Sequence, residues 1–224
     1  MTVKKGPTNR GPNKIGSTIG PTNRGQNKIG STNRGSTIGP TARVKLNIWD
    51  KSVQPCTKCD ISKLCKHKVT YFTYCPRPTK TIDILFIGEA PGQVEYAERE
   101  PFIGPSGAVM REIIQESVPP HLSYCITNSI LCTPFTDDTR YTIRTPSLSE
   151  VRECAAHLTR LIRYINPRKI ILVGRIAEKA IKHVTCPIPP TTAIRHPSAI
   201  MQDTKSTYEF DNAVLTIQRY LEDI

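Results

Sequence analysis

The segment from residue 85 to 107, LFIGEAPGQVEYAEREPFIGPSG, limits the possible fold more than any other part of the chain. Its first residues belong to an apolar run that starts at Ile82, which predicts a buried strand. A loop rich in glycine and proline follows, carries Glu89 and Glu95, and leads to an amphipathic helical pattern that starts at Ser106. Because a strand, a loop and a helix in this order are typical of an open α/β sheet, we expect a ligand site at the carboxyl end of the strand.

Strand and helix patterns continue to alternate along the rest of the chain. The apolar runs predict strands over Ile82–Gly88, Tyr124–Leu131 and Lys169–Gly174, with a weaker one over Thr191–Ile194. The amphipathic patterns predict helices over Ser106–Ser117, Ser147–Ile165, Arg175–Val184 and Ser206–Glu222. Such alternation predicts a parallel sheet covered on both faces. The expected fold class is therefore α/β: a three-layer α/β/α sandwich with a central, mainly parallel four-stranded sheet.

The first 50 residues differ from the rest in composition. Residues 6–41 are a degenerate repeat that contains eight of the 13 glycines and almost nothing apolar to bury. We therefore predict a disordered tail over residues 1–50 and one domain over residues 51–224. The tail holds nine Lys or Arg and one acid, Asp50, so it carries +8 of the net charge of +12. It is either an inert linker or a basic arm that contacts DNA without sequence preference.

Composition also narrows the class of protein and its compartment. A net charge of +12 favours a polyanionic partner, with nucleic acid first. No apolar run is long enough to cross a bilayer, and no apolar segment follows Lys4 and Lys5 as in a secretory signal. The eight cysteines are therefore expected to be metal ligands or reduced thiols in an intracellular reducing compartment, the cytoplasm or the nucleus. We expect a monomer with no membrane partner.

Four elements of the sequence could carry chemistry: Glu89 in its loop, Phe102, Asn128 and the His196-Pro-Ser segment. Each alone has an ordinary structural explanation, such as a core position for Phe102 or a turn for Asn128. Their order is more specific. GEAPG-x2-E, PF-x-GPSG, a strand containing TN and then HPS resemble the family 4 uracil-DNA glycosylases, the iron–sulfur members of that superfamily, over residues 53–222.

The resemblance implies a DNA repair enzyme that hydrolyses the N-glycosidic bond of uracil in DNA and leaves an abasic site. By the same resemblance, Phe102 stacks on the flipped uracil, Asn128 pairs with its edge and His196 hydrogen-bonds its O2. An amide offers one donor and one acceptor, which suits uracil and mismatches cytosine. Two alternatives stay open: a non-catalytic uracil- or DNA-binding protein of the same fold, and a zinc-stabilised nucleic-acid-binding protein.

The resemblance also assigns the acidic residues of the pocket. Glu89 matches the pocket carboxylate and is the candidate that stabilises the sugar cation, while Glu95 matches a second acid that assists it. Ala90 stands where the family 1 enzymes carry an aspartate that activates water, so we expect catalysis to depend on stabilisation of the leaving group. The residues expected to contact the substrate besides Phe102 and Asn128 are Gly88, Ala90, Ser106 and Ser198.

The cysteines point to a metal centre. Cys56 and Cys59 form a C-x2-C half-site. The resemblance implies a [4Fe–4S] cluster held by these two cysteines together with Cys132 and Cys154. The alternative is a zinc site made of four cysteines close in sequence, namely Cys56, Cys59, Cys65 and Cys75. Cys65 could also replace Cys56 or Cys59 as a ligand of the cluster.

Overall fold

The computed structural model describes residues 40–76 and 81–224 and has a central five-stranded sheet. The strands are β1 Tyr71–Tyr74, β2 Ile84–Gly88, β3 Tyr124–Asn128, β4 Lys169–Val173 and β5 Thr191–Ile194, in the spatial order β1-β3-β2-β4-β5. Strands β2 to β5 are parallel, and β1 pairs with β3 in the antiparallel direction. The α/β class and the mainly parallel sheet predicted from the sequence are confirmed, with five strands instead of four.

The helices lie on both faces of the sheet. Their bounds are α1 Pro40–Val53, α2 Ile61–Leu64, α3 Gln93–Glu98, α4 Pro105–Ser117, α5 Leu148–Ile165, α6 Arg175–Ile181, α7 Pro197–Met201 and α8 Ser206–Leu221. In β2, Leu85 and Ile87 belong to the core beneath α1, α5 and α6, whereas Ile84 and Phe86 belong to the core beneath α4, α7 and α8. The alternation follows from the two-residue period of a strand and explains why β2 is apolar throughout.

The fifth strand, β1, was not predicted because it is short and lies inside residues 53–80, a segment rich in cysteine and lysine. Its sequence, YFTY, is only half-buried, as an edge strand should be. Phe72 packs into the core beneath α4, and the hydroxyl of Thr127 on β3 donates to the carbonyl of Thr70 at 2.6 Å. These contacts fix β1 beside β3.

Helix α1 overlaps the predicted tail and moves the start of the folded part toward the N-terminus. Leu46, Trp49 and Val53 recur at helical spacing and are buried against α5. The indole N–H of Trp49 also donates to the carbonyl of His157 at 2.9 Å. Residues 40–50 are therefore helical, because a few apolar residues at the right spacing outweigh the polar composition of the segment. The rest of the predicted tail, residues 1–39, lies outside the described residues.

Helix α5 begins with a capping box formed by Ser147 and Glu150. The Glu150 N–H donates to Ser147 Oγ at 3.3 Å, and the Ser147 N–H donates to the Glu150 carboxylate at 2.7 Å. Arg144 pairs with Glu150 at 2.6 Å and holds the pKa of that carboxyl at about 2.

Within residues 40–76 and 81–224, none of the helices combines the length and the apolar character needed to cross a membrane.

Candidate active site

The carboxyl ends of β2 and β3 bring three of the predicted site residues together. Gly88 and Asn128 are register partners at the last positions of these strands. A Cβ atom on Gly88 would lie 2.3 Å from Phe102 Cζ and 2.5 Å from Asn128 Oδ1, so the Phe102 ring and the Asn128 amide both reach the Gly88 Cα. Only glycine fits at this point, and the absence of a side chain allows the Phe102 ring and the Asn128 amide to approach the same backbone position.

Phe102 has an unusual backbone conformation. It is buried and has φ 57°, a left-handed value that bulky residues rarely adopt and that costs on the order of 1–3 kcal/mol. Two contacts hold it there. Arg111 Nε donates to the Phe102 carbonyl at 2.9 Å, and Gly107 approaches so closely that a Cβ on it would lie 2.1 Å from the carbonyl carbon. Arg111 is itself held by Glu100 at 2.7 Å.

Glu95 connects two parts of the loop through its carboxylate. Its buried carboxylate accepts N–H hydrogen bonds from Gly92 at 3.1 Å, Ile103 at 3.1 Å and Gly104 at 2.7 Å. Both oxygens are occupied by the backbone on the two sides of α3. Glu95 therefore holds the GEAPG segment against the segment that carries Phe102.

Asn128 offers an unpaired amide. The residue is only 3% exposed, yet its side chain makes no hydrogen bond to any described residue. Its neighbour Ser129 is bonded differently: both its N–H, at 2.9 Å, and its hydroxyl, at 2.7 Å, donate to the Gly88 carbonyl. The amide is not fully shut off from solvent, so a ligand that enters the site can reach it. Asn128 thus has a free donor and a free acceptor beside the Phe102 ring.

His196 occupies the N-cap of α7, and its protonation state follows from its partners. The Ser198 N–H donates to His196 Nδ1 at 3.2 Å, and the Ser198 hydroxyl lies 2.8 Å from the same nitrogen. Because Nδ1 accepts a backbone hydrogen bond, the proton of the neutral ring is on Nε2. Burial lowers the pKa of His196, which keeps the ring neutral near pH 7. The free Nε2–H is therefore a donor.

Gly174 places His196 at the same edge of the sheet. Gly174 follows β4, which neighbours β2, and has φ 87°. A Cβ on it would lie 2.8 Å from the Cβ of His196, so glycine is required both by the backbone and by the close packing. The imidazole thus stands beyond the end of β4, one strand away from Gly88. Gly174 did not stand out in the sequence as a site residue.

The remaining predicted residues vary in their surroundings. Glu89 follows Gly88 directly, is partly buried and makes no side-chain hydrogen bond to a described residue; burial raises its pKa. Ala90 packs partly against the core beneath α5. Ser106 is partly buried in the first turn of α4, where no described residue hydrogen-bonds its hydroxyl. The structure places Ser198 against His196, as described above.

The four cysteines predicted as cluster ligands line one pocket, named here the cysteine pocket. Its lining comprises Val53, Cys56, Lys58, Cys59, Ser62, Lys68, Ile130, Leu131, Cys132, Glu153, Cys154 and His157. Burial raises the pKa of Cys59, and it raises the pKa of Cys154 to about 12. Among the described residues, no three His, Cys, Asp or Glu side chains are arranged to hold a single metal ion.

The two other cysteines considered for metal binding do not line the cysteine pocket. Cys75 follows β1, whose last residue pairs with the first residue of β3, whereas Cys132 lies beyond the last residue of β3. The two therefore stand at opposite ends of the strand. Cys65 is buried beside Cys132, donates to the carbonyl of His67 at 2.8 Å and does not line the cysteine pocket.

Sequence reasoning missed two residues of the cysteine pocket. His157 Nε2 lies 3.2 Å from Cys56 Sγ, and the Lys68 side chain is buried in the lining. The position of His157, one helical turn after Cys154, was a usable signal because residues three apart share a helix face. Nothing in the sequence pattern distinguished Lys68 from the other lysines around it.

Comparison with known proteins adds a family assignment. The model of the uracil DNA glycosylase superfamily matches residues 76–219. The chain is 31% identical over 132 residues to the Type-4 uracil-DNA glycosylase of Archaeoglobus fulgidus, covering 58% of the chain and 60% of the relative. It is 33% identical over 131 residues to the Type-4 uracil-DNA glycosylase of Saccharolobus solfataricus, covering 58% and 56%. The matched part thus spans less than two thirds of these relatives.

Proposed function

The chain belongs to the uracil DNA glycosylase superfamily, and we propose that it is a repair enzyme that hydrolyses the N-glycosidic bond of uracil in DNA and leaves an abasic site. The observation that carries this proposal is the close approach of both the Phe102 ring and the unpaired Asn128 amide to Gly88. A flat aromatic face beside a free donor and acceptor suits one planar base turned out of the helix.

Recognition of uracil follows from the chemistry of the amide. The Asn128 side chain can accept from uracil N3–H and donate to O4. Cytosine presents an acceptor at N3 and a donor at N4, so the same amide would leave unpaired groups on both sides. A buried polar group without a partner costs about 1–3 kcal/mol, which is enough to discriminate between the two bases. The Phe102 backbone is fixed in its strained conformation, so the Phe102 ring sets the plane in which the base is bound.

Cleavage depends on stabilising the leaving group. As the glycosidic bond breaks, negative charge develops on uracil O2 and positive charge on the sugar. His196 donates from Nε2–H to O2, and its hydrogen bond strengthens as the charge grows. Ser198 acts as a positioning residue because its N–H fixes the tautomer through Nδ1.

The acidic residues divide the remaining work. Glu89, adjacent to Gly88 and without a hydrogen-bond partner in the described chain, stabilises the positive sugar and orients the attacking water. Ala90 supplies no carboxylate. Ala90 and Ser106 line the site in which uracil binds. Glu95 is a positioning residue because its carboxylate is bound by three backbone N–H groups.

The cysteine pocket fits a [4Fe–4S] cluster bound by Cys56, Cys59, Cys132 and Cys154. Four thiolates are the ligands that such a cluster would take, and four cysteines line this pocket. The zinc alternative is less well supported because Cys75 lies at the other end of β3. When bound, the cluster would connect the segment before β1 to α5.

The wider assignments follow from the same proposal. The partner is DNA that contains uracil, and the basic segment before α1 adds affinity for DNA without sequence preference. Thiolate ligands and unpaired cysteines suit a reducing intracellular compartment. We infer that the protein acts as a monomer, because a single chain supplies every residue assigned to the pocket.

A cleavage assay tests the function. Protein purified without oxygen is incubated with a labelled oligonucleotide that carries one uracil, and abasic sites are revealed by alkali. We expect cleavage at the uracil by wild type, and a loss of at least a hundredfold in Asn128→Ala and in His196→Ala. Asn212→Ala, an exposed asparagine of α8, is the matched control and keeps full activity. Binding of the oligonucleotide without cleavage by iron-replete wild type would favour the non-catalytic alternative.

A further inference from the structure

Lys68 is a buried cation of the cysteine pocket that the proposed chemistry does not use. Its residue is 7% exposed. Within the described chain Nζ contacts only the Cys65 carbonyl, at 3.4 Å, and forms no ion pair with a carboxylate there. A buried ammonium group without an anion is unfavourable because it loses its hydration. A negatively charged ligand in the pocket would compensate for that loss.

The backbone of Lys68 is held in place by Gln54. The Lys68 N–H donates to Gln54 Oε1 at 2.9 Å, and Gln54 Nε2 donates to the Lys68 carbonyl at 3.1 Å. Gln54 Nε2 also lies 3.1 Å from Asp50 Oδ1, at the end of α1. The two-way amide contact fixes the residue beside the pocket, so the buried position of Lys68 is specified by the fold.

His157 reaches the pocket from the opposite side. It is 5% exposed on α5, and its Nε2 lies 3.2 Å from Cys56 Sγ. Its Nδ1 is buried without a hydrogen-bond partner in the described chain, and its carbonyl is fixed by Trp49. If Cys56 is a thiolate bound to iron, Nε2–H is the donor and Nδ1 is left as an unprotonated acceptor. This arrangement avoids a buried N–H group without an acceptor.

We propose that Lys68 and His157 stabilise the negative charge of the [4Fe–4S] cluster and raise its reduction potential. The inference rests on the proposed cofactor. A cluster with four thiolate ligands is anionic, and reduction adds one more negative charge. A nearby cation and an N–H donor to a ligand sulfur therefore stabilise the reduced form more than the oxidised form. Both residues are positioning residues in this role, since neither contacts the DNA base.

The test measures the potential in matched variants of the holoprotein. Lys68→Met removes the charge and Lys68→Arg keeps it, while His157→Phe removes the donor and His157→Gln keeps one. Lys58→Met is the control, because Lys58 also lines the pocket but is exposed, so solvent screens its charge. Iron and sulfide are quantified in each variant, and the potential is obtained from an anaerobic titration followed by electron paramagnetic resonance.

We expect Lys68→Met to lower the ratio of reduced to oxidised cluster about tenfold at a fixed potential, which corresponds to about 59 mV for one electron. His157→Phe should shift the potential in the same direction, whereas Lys68→Arg, His157→Gln and Lys58→Met should stay close to wild type. Loss of the cluster from folded Lys68→Met but not from Lys68→Arg would also support the inference.

Two results would overturn the inference, and they differ in what else they affect. Unchanged potentials in Lys68→Met and His157→Phe, with full iron content, would refute the role of these residues and leave the cofactor intact. Wild-type protein prepared without oxygen that holds no iron and sulfide would refute the cofactor itself and this inference with it. Uracil release by such protein would show that the proposed function survives.

Discussion

Replacing Gly88 by alanine is the sharpest perturbation of the active site that a single methyl group can make. The new Cβ would lie 2.3 Å from Phe102 Cζ, 2.8 Å from Phe102 Cε2 and 2.5 Å from Asn128 Oδ1. All three distances are well below van der Waals contact, so the ring and the amide must both move. Both sides resist, because the Phe102 backbone is held by Arg111 and Asn128 ends a buried strand.

The size of the effect follows from these distances. Restoring ordinary contact requires shifts of about 1 Å, and a misplacement of that size in a catalytic site costs on the order of a hundredfold in rate. Overpacking a buried position also destabilises a fold by about 1–3 kcal/mol. We therefore predict that Gly88→Ala stays folded and binds DNA through its surface, but releases uracil at least a hundredfold more slowly in a single-turnover assay.

A double-mutant cycle separates the clash from a general loss of stability. In a Phe102→Ala background the ring is absent, so adding Gly88→Ala should cost much less stability than it does in wild type. Chemical denaturation of the four proteins measures this coupling. Wild-type activity and stability in Gly88→Ala, or strictly additive losses in the double mutant, would refute the close approach of Gly88, Phe102 and Asn128.

Three further predictions concern the neighbouring residues. Gly174→Ala should lower the free energy of unfolding by about 1–3 kcal/mol and reduce activity, because φ 87° and the 2.8 Å approach to His196 exclude a side chain. Chemical denaturation measures the loss of stability, and steady-state kinetics measure the loss of activity. Ser198→Ala should lower kcat by about tenfold or less with KM unchanged, because the backbone N–H still holds Nδ1. The value of kcat/KM should not change as the pH falls from neutral to 6.5, the ordinary pKa of histidine. Burial lowers the pKa of His196, and protonation of Nδ1 would break its hydrogen bond to Ser198. A fall in kcat/KM on the acid side that is centred above pH 6.5 would contradict this role.

The sequence alone was sufficient to place the strands that end at the active site. The predicted runs Ile82–Gly88, Tyr124–Leu131 and Lys169–Gly174 contain β2, β3 and β4, although β3 ends at Asn128, before the predicted end. These runs are apolar because both faces of the strands are covered, and parallel strands then bring their carboxyl ends to one edge. The neighbourhood of Gly88, Glu89 and Asn128 therefore followed from the topology, whereas Phe102 follows α3 and His196 follows β5.

Other features depended on contacts that no local pattern records. Glu95 is spaced from Gly92 like many helix-start acids, but only the folded loop shows that its second oxygen binds Ile103 and Gly104. Cys56 and His157 are 101 positions apart, and their contact depends on how α5 packs beside the segment after α1. Strand β1 and helix α1 were missed because the surrounding composition is polar, while only a few of their own side chains are buried.

Direct detection of the free base tests whether the protein releases uracil from DNA. A duplex with one labelled uracil and many cytosines and thymines is incubated with iron-replete protein, and the released bases are identified by mass spectrometry. We predict that wild type and Asn212→Ala release free uracil and no other base, and that Asn128→Ala releases at least a hundredfold less uracil. Absence of any free base from wild type would contradict the proposed activity. Uracil release at an unchanged rate by Asn128→Ala would contradict the proposed role of Asn128.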